Sequence, residues 1–143
     1  MSQQKAMQKY KQTSITSASR EKLLLMLYEA AIKFVKKAII ACEVKDIAER
    51  GLNIGRAYDI IMELNNTLNF EVGGEIAKNL EALYVYMTDQ LTQANISGNS
   101  APLHTVLKLL NTLNDGWVQA IDSLKKKKDE TIANGPQGPG EDK

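Results

Sequence analysis

REKLLLMLYEAAIKFVKKAIIAC, residues Arg20–Cys42, decides the fold. At about 100° per residue, with Leu24 at zero, Glu29, Lys33, Lys36 and Lys37 share one arc. Leu23, Leu24, Leu25, Leu27, Tyr28, Ala31, Ile32, Phe34, Val35, Ala38, Ile39 and Cys42 fall outside it. That apolar arc is wider than the seam of a two-helix contact, so this helix needs cover from two or three directions. At least two further helices must come from the rest of the chain. Met26 and Ile40 land inside the charged arc and read as scattered surface apolar residues, with the edge of a docking surface as the alternative.

The remaining segments supply the partners. Ser19 reads as the N-cap of the first helix, with Glu21 in its first turn. Asp46-Ile47-Ala48-Glu49 is a capping-box pattern that opens a second helix, whose core face is Ile54, Ala57, Tyr58, Ile61, Leu64 and Leu68. Gly51 and Gly55, four residues apart, are expected to allow close packing or to leave a shallow groove. Residues 69–74, NFEVGG, read as a turn. Glu75 then starts a third helix with the stripe Ile76, Leu80, Leu83, Tyr84, Met87, Leu91 and Ala94. Residues 96–100, ISGNS, end it, and Pro102 suits the first turn of a fourth. That helix carries Leu103, Val106, Leu110, Leu113, Trp117, Ala120 and Leu124, and Lys125–Lys128 close it. The expected fold is all-α, an antiparallel up-down four-helix bundle over residues 19–128. An N-terminal arm (1–18) and a disordered Gly/Pro-rich tail (129–143) flank it.

Composition narrows the function. The chain has 143 residues, 43% hydrophobic and 24% charged, enough for one domain with a core. No apolar run is long enough to span a bilayer, and the first residues lack the apolar core of a secretory signal, so a cytoplasmic protein without membrane insertion is expected. Residues 1–15 carry a net charge of +3 and residues 125–143 of +1, which leaves the body at −3. A nucleic-acid binder usually has a basic body, so nucleic acid is not an expected partner. The lone Cys42 excludes an internal disulfide and reads as an inert thiol on an apolar face.

Catalytic groups are sparse. Bundle enzymes set carboxylates and histidines inward around metals, yet the only histidine is His104, at the start of the fourth helix, and no Glu-x-x-His occurs. Glu71 and Glu75 flank Gly73-Gly74 and oppose anion binding there. No catalytic residue, metal site or cofactor is expected. Tyr28, Tyr58, Tyr84 and Tyr86 give apolar bodies with polar tips, the chemistry of a binding surface or of a core boundary.

Several stretches then read together: YKQ at 10–12, SASREKL at 17–23, MLYEAA at 26–31, IIMEL at 60–64, LN at 68–69, GGEIAKNL at 73–80, LYVYM at 83–87 and QAN at 93–95. In order and spacing they resemble the FliS family of flagellin export chaperones, from about Tyr10 to Ala120. Asp115-Gly116-Trp117 fits the family's last helix. Val85 stands where an acidic residue is usual, and Asn114 where a basic one is common. The resemblance implies a chaperone that binds the disordered C-terminal segment of flagellin, prevents premature polymerisation and presents it to the flagellar type III export gate. It implies Tyr10 and Ile15 as a removable cap over the client groove. Tyr28, Ile61, Leu68, Ile76, Leu80, Tyr84 and Met87 are then groove walls or the core beneath them, and Asn69, Asn79 and Asn95 are partners for the client backbone. A monomer or weak homodimer is expected. A self-associating structural bundle without an unfolded client is the alternative.

Overall fold

The computed structural model of the protein describes residues 17–133. The expected arm, with Tyr10 and Ile15, and the Gly/Pro-rich segment lie outside these residues. Among the described residues the elements are four α-helices: α1 (Ser17–Glu43), α2 (Ile47–Asn66), α3 (Phe70–Ser97) and α4 (Ala101–Ala133). Connections of three residues turn each helix back along its predecessor. α1 packs on α2 and α4, and α3 packs on the same two, so the helices form a ring with α1 and α3 on a diagonal. This is the expected all-α bundle.

The apolar stripes meet in one core. Tyr28, Ala31, Val35, Ala38, Ile54, Ala57, Ile61, Leu64, Tyr84, Met87, Leu91, Leu103, Val106 and Leu110 are all buried in it. Two polar side chains share this burial. Asn53 donates to the Glu49 carbonyl at 2.8 Å, and the Thr88 hydroxyl donates to the Val85 carbonyl at 2.8 Å. Each is satisfied within its own helix, so neither leaves a buried donor unpaired.

The helix ends follow local chemistry. The Asp46 carboxylate accepts from the Glu49 N–H and caps α2 as its pattern predicts. Gly98 closes α3 in the left-handed conformation, its N–H donating to the Ala94 carbonyl. Ser19 is not a cap, because α1 already includes Ser17. Residues 70–73 are not an open turn. The Asn69 side chain accepts from the Glu71 and Val72 N–H groups and starts a helical turn there. Gly74, at φ 49° and ψ −122°, then breaks the helix before it resumes. Only glycine adopts that backbone without steric cost.

Three stripe positions differ from the sequence reading. Tyr58 is 38% exposed because it sits beside, not on, the Ile54–Ala57–Ile61–Leu64 face. Leu124 is 57% exposed and Ala120 is exposed, because α4 runs to Ala133, past the burial supplied by its neighbours. The helix also passes the expected boundary at Lys128. Gly55 is exposed with nothing near its Cβ position, and Gly51 has ordinary room, so neither glycine serves close packing or shapes a groove.

Candidate functional site

An apolar groove of about 570 Å³ opens at the end of the bundle where α1 and α3 begin. Leu23, Leu24 and Leu27 of α1 form one wall. Leu68, Asn69, Val72 and Gly73 of the α2–α3 connection and the first turn of α3 form another. Ile76, Ala77, Leu80 and Tyr84 continue it along α3, and Trp117 reaches in from α4. Arg20 is the charged side chain among its lining residues. The groove explains the breadth of the α1 apolar arc. Among the described residues α2 and α4 cover two sides of that helix, and part of the third is uncovered at its N-terminal half.

Local structure sets the walls. The Asn69 cap and the break at Gly74 hold Val72 and Ile76 outward, at 85% and 67% exposure. The Gly73 Cβ position lies 3.0 Å from the Ala77 Cβ, so a larger residue there would crowd the wall. Beneath the lining, Tyr28 and Tyr84 join hydroxyl to hydroxyl at 2.6 Å across the bundle diagonal. Burial raises both phenol pKa values. The Trp117 indole N–H, close to Tyr28, is buried without a partner that meets hydrogen-bond geometry among the described residues.

The expected site residues separate into groups. Leu68, Asn69, Ile76, Leu80 and Tyr84 come together in the groove. Tyr28, Ile61 and Met87 are buried in the core, with Tyr28 tied to the groove through Tyr84. Asn79 is exposed and does not line the groove. Asn95 sits near the far end of α3, where Arg50 Nη2 donates to its carbonyl at 3.0 Å. Leu23, Leu24, Leu27, Val72 and Trp117 were missed as wall residues. Their signal was the excess width of the α1 apolar face, which marks an uncovered side without saying which neighbours frame it.

No group of three or more His, Cys, Asp or Glu side chains among the described residues is placed to hold a metal ion. His104 is exposed on α4. The Cys42 thiol, half-buried on α1, has its pKa raised chiefly by burial, against the opposing pull of Arg50. No described helix is long and apolar enough to cross a membrane.

Fold and groove together define a four-helix bundle with an apolar concave face at one end. Residues 2–124 match the family described as flagellar protein FliS. The chain belongs to the FliS family of flagellar chaperones. It is 38% identical over 117 residues to a flagellar secretion chaperone FliS of Bacillus subtilis, covering 82% of this chain and 86% of that one. A flagellar secretion chaperone FliS of Vibrio cholerae is 36% identical over 118 residues, covering 80% and 87%. In fold, the chain is similar to a solved bacterial flagellar chaperone at a TM-score of 0.70 and 20% identity, covering 85% of this chain and 98% of that one.

Proposed function

We propose that this protein is a cytoplasmic export chaperone whose groove holds an apolar face of the disordered C-terminal segment of flagellin. Bound there, the segment is kept from premature polymerisation and delivered to the flagellar type III export gate. The observation that carries this reading is the apolar groove of about 570 Å³, with Val72 and Ile76 standing exposed on its wall. Exposed apolar walls around a concave site suit a helix that brings anchors at spacings of three and four. A client that orders on binding can cover a large surface and still release, because ordering offsets part of the interaction energy. The segment before Ser17, with Tyr10 and Ile15 as its anchors, competes for the same groove until the client displaces it.

The test is titration of full-length flagellin and of flagellin lacking its C-terminal segment. The reading predicts a 1:1 complex with the first and none with the second. Equal binding of both, or of neither, overturns it.

A further inference from the structure

The walls of the groove are apolar, and its charge is confined to one point. Among the described residues Arg20 is the one charged side chain that lines it, and it is exposed. Leu23, Leu24 and Leu27 follow at spacings of three, four and seven, so they share a face of α1 with Arg20. Leu27 lies about 10.5 Å further along the helix axis. Tyr84 and Trp117, which pack against the core, meet the groove deeper in the bundle. The cation therefore stands at the mouth, where α1 begins, and the apolar walls run inward from it.

No carboxylate among the described residues pairs with Arg20. Glu21, Glu71 and Glu75 are the acids close in sequence to the lining residues, and none of them lines the groove. Residues 1–16 carry Lys5, Lys9 and Lys11 and no acid. The segment that competes for the groove thus brings Arg20 only like charge. An occupant that brings an anion to the mouth is favoured over that segment.

We propose that Arg20 receives the terminal α-carboxylate of the flagellin chain and so fixes the direction in which the client lies. This rests on the reading of the groove as the client site. The client is a chain end, and that end brings one carboxylate whatever its side chains. A helix also ends in carbonyls without intrahelical partners, so its C-terminal end is negative and its N-terminal end positive. Arg20 favours the first over the second. At the mouth the carboxylate keeps part of its hydration and gains a charge-assisted hydrogen bond. Further in, between Leu27, Tyr84 and Trp117, it would lose its water with no cation to meet it. The last residue of the client therefore lies at Arg20, and the residues before it place their apolar anchors inward.

The test is calorimetric titration of the full chain with a flagellin C-terminal peptide ending in the free acid, and with the same peptide ending in an amide. An exposed charge pair is worth up to about fivefold in affinity, so the free acid should bind wild type about three- to fivefold tighter. High salt should remove that advantage. R20Q should bind both peptides alike, at the affinity of wild type for the amide. A nitroxide on the last side chain of the free-acid peptide gives a reading that needs no variant. It should broaden the backbone amide signals of Arg20 and Leu23 more than those of Leu27 and Tyr84. Equal binding of acid and amide to wild type overturns the proposal and leaves the client reading standing. So does an R20Q variant that weakens both peptides equally, or broadening centred on Tyr84. An Arg20 effect that survives amidation and vanishes when acidic side chains of the peptide become amides also overturns it, by placing a side chain at the mouth. If neither peptide binds, the client reading falls and this proposal with it.

Discussion

Tyr28→Phe removes one hydroxyl from a buried pair. Tyr28 and Tyr84 are 0% and 2% exposed, and their oxygens are 2.6 Å apart, linking α1 to α3 across the core. Once one hydroxyl is gone, the other is left buried without its partner. An orphaned buried hydroxyl costs about 1–3 kcal/mol. The two single variants differ. In Tyr84→Phe the Tyr28 oxygen still has the Trp117 indole N–H close by, whereas Tyr28→Phe removes an acceptor that both neighbours can use. Tyr28→Phe should therefore lie toward the upper end of that range and Tyr84→Phe toward the lower. Tyr28→Phe/Tyr84→Phe leaves no tyrosine hydroxyl stranded and should cost less than the sum of the singles by about 1 kcal/mol. Urea denaturation of the four proteins measures this directly. Strict additivity, or two harmless single variants, would refute the view that the pair is buried and mutually satisfied.

Other perturbations follow from the same geometry. Burial holds the Tyr28 and Tyr84 protons more tightly in the folded protein than in the unfolded chain, where tyrosine titrates near pH 10.0. Their stabilisation is complete below that pH and declines as the pH rises past it, so the urea midpoint should fall there in wild type and far less in the double phenylalanine variant. Gly74→Ala meets no atom within 4 Å, so its cost is that of the backbone alone, about 1–3 kcal/mol in urea denaturation. Gly55→Ala, in open space within α2, should instead stabilise by up to about 1 kcal/mol. Trp117 is partly exposed, so Trp117→Ala should cost less than the ~3–5 kcal/mol of a fully buried aromatic. Its emission in wild type should shift when flagellin fills the groove that it lines.

Helix identity was legible because it rests on periodicity and local capping. The stripes Ile54–Ala57–Ile61–Leu64 and Leu80–Tyr84–Met87–Leu91 fall in the core as their spacing predicts, and Asp46 caps as its pattern predicts. Periodicity gives a face and not the length of its cover, which is why Leu124 reads as core yet lies beyond its neighbours. The same limit hid the roles of stripe residues. Ile76 and Leu80 are one turn apart, but Ile76 stands on the groove wall while Leu80 is buried. Gly74 could be read as a turn residue, while its positive φ inside a helical stretch that the Asn69 cap starts could not. Trp117 joins the site through packing of α4 across the bundle, and no local pattern encodes such a meeting.

The central claim is that the groove between α1 and the start of α3 holds the flagellin segment. Ile76→Glu tests it most directly, because Ile76 is 67% exposed on the wall and its replacement leaves the core intact. Calorimetric titration of a flagellin C-terminal peptide into wild type and Ile76→Glu is the measurement, with circular dichroism confirming equal helix content. A wild-type 1:1 complex and at least a tenfold weaker variant, about 1.4 kcal/mol, is the predicted result. Equal affinity and stoichiometry for the two proteins would contradict the account.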